Sequence, residues 1–203
     1  MSIEDKISQY YSNKIITHGT TSQGVDWNSK DSQFKRFEQL CKIITSEKFS
    51  VIDYGCGYGA LIEYLNSRFK DYDYIGYDIS KEMIDASKKL FCDKRYFFTN
   101  ESKEIKPSDY LIASGIFNVK LDTPVERWEK YIVETLETFY QLSLKGFAFN
   151  ILTSYSDKEY MKDYLYYANP LFYFDYCKRK YSRNVALLHD YDLYEFTILV
   201  RKN

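Results

Sequence analysis

One acidic residue and three glycines within seven positions carry the most chemistry in this chain. They lie in Val51-Ile52-Asp53-Tyr54-Gly55-Cys56-Gly57-Tyr58-Gly59-Ala60. Glycines let a backbone turn sharply and approach a ligand closely at the carboxyl end of a strand, where open α/β sheets bind their ligands. Gly55, Gly57 and Ala60 alone also satisfy the G-x-G-x-x-G/A spacing of a dinucleotide-binding turn. That spacing leaves a nicotinamide-dependent oxidoreductase open beside other nucleotide chemistry. A second carboxylate, Asp78, ends the next strand-like run, and one carboxylate can accept hydrogen bonds from two hydroxyls. Only two histidines are available as bases. His18, in Thr17-His18-Gly19-Thr20-Thr21, is taken as the candidate catalytic base; His189 is the weaker one, and each competes with a surface or structural role.

The elements that must position these groups alternate along the chain. From Trp27 to Thr45, Phe34, Phe37, Leu40, Cys41 and Ile44 recur at helical spacing. Phe49 to Tyr54 reads as a strand, Ala60 to Phe69 as a helix and Tyr74 to Ile79 as a second strand. Lys81 to Leu90 follows as a helix with Ser80 as its cap. Further strands are expected at Arg95 to Thr99, Asp109 to Ser114 and Gly146 to Thr153, with a helix from Pro124 to Leu142. Asn184 to His189 and Tyr194 to Lys202 are joined by four residues, too few for a parallel crossover, so they form an antiparallel hairpin. Such alternation predicts an α/β fold: a doubly wound, seven-stranded, mostly parallel sheet with helices on both faces and a C-terminal hairpin.

The chain has 203 residues, which fits one domain with a full core. Its expected parts are an N-terminal helical segment at 1–46, an alternating α/β core at 47–153, and an insert with the closing hairpin at 154–203. Twenty-eight basic and 29 acidic residues leave a net charge of −1, so no global field favours a polyanion or an anionic membrane. The charged N-terminus lacks the apolar run of a secretory signal, and no run approaches a membrane span. Cysteines 41, 56, 92 and 177 show no C-x-x-C spacing. They read as reduced thiols of a cytoplasmic protein, with no metal expected. Aromatic content is high, with 22 Tyr, 14 Phe and 2 Trp. Tyrosine buries a ring while keeping a polar handle, which suits a pocket wall; a compositional bias of the genome explains the count equally well.

With Asp53 two residues before the first glycine and Gly59 as the third, the segment resembles the acidic-x-G-x-G-x-G motif of class I S-adenosylmethionine-dependent methyltransferases. Asp109 to Gly115 resembles the family's fourth strand, and the hairpin its antiparallel seventh. The resemblance covers roughly residues 30 to 203 and is specific at Asp53 to Gly59. It implies S-adenosylmethionine as cofactor, cradled by Gly55, Cys56, Gly57 and Gly59, with Asp53 on its ammonium group and Asp78 on its ribose. It further implies Ile79 and Met83 beside the adenine ring, Asn100 and Glu101 near its exocyclic amine, and Ser114 at the end of the fourth strand. Arg36 could meet the methionine carboxylate, with an exposed salt bridge as the alternative. The first fifty residues look like helices that close over the cofactor, and the resemblance implies that the three parts of the chain are a lid, a cofactor-binding core and a substrate side.

Methyl transfer from a sulfonium is an in-line displacement, so positioning supplies much of the rate. The acceptor is expected to be a small molecule methylated on O or N, selected by Tyr11 and Trp27 of the lid, Phe117 and Asn118 after the fourth strand, and Tyr155 in the insert. Tyr10 to Trp27 shows little apolar periodicity and is expected to order on binding. The short basic run Lys178 to Arg183 is read as a solvated helix end, and no Asn/Asp-Pro-Pro-Tyr motif follows the fourth strand, so DNA is not an expected partner. The alternatives are the oxidoreductase, which would need a hydride site that is not evident, and a non-catalytic cofactor-binding protein.

Overall fold

The computed structural model describes residues 1–27 and 29–202. Its elements run α1 (Ile3–His18), α2 (Lys30–Cys41), β1 (Lys48–Tyr54), α3 (Leu61–Arg68), β2 (Asp71–Tyr77), α4 (Lys81–Leu90), β3 (Tyr96–Thr99), β4 (Ser108–Ala113), α5 (Val125–Leu142), β5 (Ser143–Leu152), α6 (Pro170–Lys180), β6 (Asn184–Leu188) and β7 (Glu195–Arg201). The seven strands form one sheet in the order β3-β2-β1-β4-β5-β7-β6. All neighbours are parallel except the β5–β7 and β7–β6 pairs. The doubly wound sheet with its closing hairpin is therefore as expected, and strand ends differ from the expected ones by at most three residues.

Two apolar layers flank the sheet. One gathers Leu111, Phe117, Trp128, Phe139, Phe147, Phe149 and Tyr173 under α5 and α6. The other gathers Phe37, Leu40, Val51, Leu61, Leu65, Tyr74 and Ile84 under α2, α3 and α4. Helix α1 contributes to both, with Ile3 and Ile7 in the first layer and Ile15 in the second. It therefore lies across the carboxyl ends of the strands as a roof.

The expectation of an irregular Tyr10 to Trp27 is corrected in its first half. Ile3, Ile7, Tyr11 and Ile15 are spaced by four, which is an apolar stripe on one helical face once the count starts before Tyr10. Ser2 caps the helix reciprocally: its Oγ accepts from the Asp5 amide and its own amide donates to the Asp5 carboxylate. Helix α2 is shorter than the expected Trp27–Thr45 because Ser29 caps its start.

The link from β3 to β4 is only residues 100–107, with a single 3-10 turn at Ser102–Glu104. A parallel crossover is usually a dozen residues or more and helical. This one passes β2 and β1 without a helix. The sheet face beneath it is left to Tyr54 and Tyr77 of the strands, Tyr131 of α5, Ile105 of the link and the start of α1.

At the other end of the site, α2 is tied to the hairpin by a buried ion pair. Arg36 Nε donates to Glu195 Oε2 at 2.7 Å, and Glu195 also accepts from Asn150 Nδ2 at 2.8 Å. Asn150 Oδ1 in turn accepts the Gly115 amide at 2.7 Å. Desolvation raises the Glu195 pKa, and Arg36 and Asn150 oppose that rise. Removing one partner strands the other charge in the core, so Glu195→Ala is expected to destabilise the fold by about 3–5 kcal/mol. Equilibrium urea unfolding measures this, and a loss below about 1 kcal/mol would show that water already solvates the guanidinium.

Candidate active site

The turn after β1 is built for close approach. Gly55 and Gly57 have φ of +81° and +54°. A Cβ on Gly55 would come within 2.2 Å of Ile116 Cγ2, and one on Gly57 within 2.7 Å of Val25 Cγ1. Both the backbone geometry and the neighbours therefore require glycine. The amides of Gly55 and Cys56 donate to the Tyr77 carbonyl at 2.7 and 2.9 Å, locking the turn to the end of β2.

Asp78 is fixed there by two amides: Gly57 donates to Oδ2 at 2.8 Å and Ser80 to Oδ1 at 2.9 Å. Each oxygen keeps acceptor capacity. Asp53 Oδ2 accepts the Tyr74 hydroxyl at 2.7 Å. Both carboxyls are buried. Burial pushes Asp53 up to about 7, opposed by the Tyr74 hydroxyl and reinforced by Asp78. It pushes Asp78 up to about 6, opposed by the Ser80 and Gly57 amides. Such a pair invites a cation and hydroxyl donors.

One cavity of about 360 Å³ brings Asp53, Gly55, Cys56, Gly57, Asp78, Ile79, Met83 and Ser114 together with Tyr11 and Trp27. The Ser114 hydroxyl is buried there without a partner. A glycine cradle, two buried carboxylates and an orphaned hydroxyl fit a cationic nucleoside ligand.

Four expected cofactor contacts are not in its wall. At Gly59 an added Cβ would meet the rings of Phe91 and Phe98, so the third glycine serves the packing of α4 and β3 against the turn. Asn100 and Glu101 are exposed, because the short link turns away at once; Ser102 lines the cavity instead. Arg36 is held by Glu195 and lies under the Trp27 ring, 4.0 Å from its centroid, so the exposed salt bridge is corrected to a buried one.

A second cavity of about 610 Å³ adjoins the first. Tyr11, Val25, Trp27 and Gly115 line both. Its own wall includes Arg36, Asn118, Ser156, Tyr160, Lys162, Tyr164, Tyr167 and Tyr194. Asn118 Oδ1 accepts the Leu152 amide, which fixes the side chain beside Gly115. The insert's aromatics divide, since Tyr166 and Tyr173 are core residues that share a 3.1 Å hydroxyl contact.

Three further expected site residues fall outside both cavities. His18 ends α1 and is exposed, so the geometry gives it no route to act as a base. Phe117 is fully buried against Phe139 and Phe149, because its carbonyl is needed by Trp128 Nε1 and its ring by the core. Tyr155 is 65% exposed and faces His189, which is itself exposed. Sequence reasoning missed Ser102 and Val25, which carry no motif, and Glu195, whose partner lies 159 residues away. Tyr54 and Tyr77, inside the quoted strands, were the visible sign of an uncovered face.

The comparisons with known proteins bear on family and fold. A family model described as "Methyltransferase domain" matches residues 52–143. A protein of Mycobacterium tuberculosis named as a methyltransferase is 50% identical over 158 residues, covering 77% of this chain and 95% of its own. Among solved structures, magnesium protoporphyrin IX methyltransferase from Synechocystis PCC 6803 superposes with a TM-score of 0.66 in its SAM-bound form, at 13% identity, covering 100% of this chain and 98% of that one. Its SAH-bound form gives 0.69 at 12% identity, covering both chains fully. At such identity the superposition speaks for the fold, while the 50% relative settles the family. The glycine turn's oxidoreductase reading is thereby set aside: this chain is an enzyme of the class I S-adenosylmethionine-dependent methyltransferases, with S-adenosylmethionine as its cofactor.

Proposed function

We propose that the protein transfers a methyl group to an O or N atom of a small molecule seated in the second cavity. The observation that carries this reading is the meeting of two cavities at Tyr11, Val25, Trp27 and Gly115, because a donor site and an acceptor site must share a boundary. The cofactor supplies an electrophilic methyl carbon on a sulfonium. Asp53 holds the ammonium group at the turn, Asp78 receives the ribose hydroxyls, and Ile79 and Met83 flank the base. Ser114 and Cys56 complete the cradle, Tyr11 and Trp27 exclude water at the boundary, and Asn118 orients the acceptor. A cavity of this size accepts a drug-sized ligand. Among the described residues no helix is long and apolar enough to cross a membrane, and no cluster could hold a metal ion.

Asp78→Ala is expected to weaken cofactor binding by about 1.5–3 kcal/mol, the scale of hydrogen bonds to a charged group. Calorimetric titration with S-adenosylmethionine checks it, alongside a melting curve on the same variant. Unchanged affinity would remove Asp78 from the ribose.

The carboxyl of Asp53, raised to about 7, gives a second test. Its folded pKa lies above the unfolded value, so folding takes up a proton, and the charged form lowers the empty protein's stability increasingly as pH rises from about 4 to 7. An ammonium group favours the charged form, so binding releases that proton. Affinity should then rise with pH by up to roughly tenfold per unit below about 7 and level off above it. Titrations from pH 5.5 to 7.5 on the protein and on Asp53→Asn measure this, the variant losing the slope. A flat profile in the unmodified protein would mean that Asp53 does not meet the ammonium.

A further inference from the structure

The acceptor's own chemistry is written in the polar groups around Trp27. Arg36 is 8% exposed, lines the second cavity and not the first, and spends Nε on Glu195. Its Nη1 is buried and has no partner. A guanidinium offers donors and no acceptor, and a buried donor left unpaired is costly. A hydrogen-bond acceptor repairs this, and Arg forks match carboxylates best. Trp27 stacks on that guanidinium and also borders the cofactor cavity, so Arg36 sits one ring away from the donor. The wall around it is aromatic, with Tyr160, Tyr164 and Tyr167.

The bases of this cavity point the same way. None of its lining residues is a histidine. Asp26 already accepts from the Tyr10 hydroxyl at 2.8 Å and from Lys14 at 2.7 Å, and Asp192 is exposed on the hairpin. A hydroxyl acceptor would need its proton removed. An ionised carboxylate needs no base at all.

We infer that the acceptor is an aromatic carboxylic acid, held by Arg36 and methylated on its carboxylate oxygen to give a methyl ester. One carboxylate oxygen takes a hydrogen bond from Arg36, while a lone pair on the other forms the new bond to the methyl carbon. The carbon–sulfur bond breaks with its electron pair going to sulfur. The sulfonium and the carboxylate neutralise each other, and no proton moves. Tyr11 and Trp27 keep water from the reacting atoms. Glu195 is a positioning residue: it fixes Arg36 and, through Asn150, the Gly115 amide at the cavity boundary.

This inference rests on the methyltransferase reading above, and the test separates the two. The protein saturated with S-adenosylhomocysteine is titrated with naphthoate, naphthamide and naphthylmethanol, which share a ring body and differ in the head group. Naphthoate is expected to bind at least tenfold more tightly than the amide or the alcohol. Arg36→Met should erase that preference, and Arg36→Met/Glu195→Gln, which strands no charge, should erase it equally if the single variant folds poorly. Methyl label from S-adenosylmethionine should then appear in naphthoate as an ester that alkali releases as methanol. Equal binding of the three, no binding of any, a preference that survives in the double variant, or label stable to alkali would each overturn the carboxylate assignment. Failure to bind S-adenosylhomocysteine would instead overturn the cofactor site, before any acceptor is added.

Discussion

The site depends first on the parallel pairing of β1 with β2, in register from Lys48 opposite Asp71 to Tyr54 opposite Tyr77. That register ends both strands together, so the glycine turn and Asp78 leave the sheet side by side. The Gly57 amide can then donate to Asp78, and the Gly55 and Cys56 amides to Tyr77. A shift of one residue would put every side chain on the opposite face, and Asp53 would leave the Tyr74 hydroxyl. Everything that surrounds the cavity, including Val25 over Gly57 and Ile116 over Gly55, is fitted to that one junction.

The short link from β3 to β4 explains much of the aromatic content. Where a helix would ordinarily cover β1 and β2, the face is closed by rings: Tyr54 and Tyr77 lie 4.7 Å apart between centroids, and Tyr54 meets Phe139 at 5.0 Å. A tyrosine can do this at a half-exposed position because its hydroxyl stays wet while its ring is buried. On the opposite face, Tyr72, Tyr74 and Tyr110 are buried outright and spend their hydroxyls on Asn66, Asp53, and Thr45 with Ser46. Tyrosine thus serves three different ends in one sheet, and composition alone could not have separated them.

The fold was legible in the sequence because its signals are local. Alternation of β-type runs with helical spacing, the four-residue hairpin joint and the Ser80 cap each depend on neighbours in the chain, and Ser80 Oγ does accept the Met83 amide. The centre of the site was legible for the same reason, since Asp53 to Gly57 form one turn. What failed was whatever depended on distant packing. Asn100 and Glu101 were assigned by resemblance to the family, His18 by chemical type within the expected lid, and Phe117 by its place after the fourth strand. The side chains of Phe117 and Asn118 divide between core and cavity, and nothing in their spacing announces it. Arg36 was expected on the methionine carboxylate or in an exposed salt bridge; its buried partner comes from β7, which no local pattern connects to α2.

The roof helix closes the cofactor cavity with a few polar bonds and a short apolar stripe. Along α1, Ser8 donates to the Ile79 carbonyl, Ser12 meets Ser80 and Glu82, and Lys6 pairs with Asp122. Such bonds trade almost evenly with water when a surface separates, each contributing about 0.5–1.5 kcal/mol net. The apolar hold rests on Ile3, Ile7 and Ile15, each stabilised by about 1.5–3 kcal/mol of burial. The helix is therefore fastened by Ile3 and Ile7 in one layer, Ile15 in the other and Tyr11 against both. Lifting either end gives up only part of that burial, whereas detaching both gives up all of it. Glu4, Ile7 and Tyr11 of this helix line the cofactor cavity, so the burial that fastens the helix also closes the site.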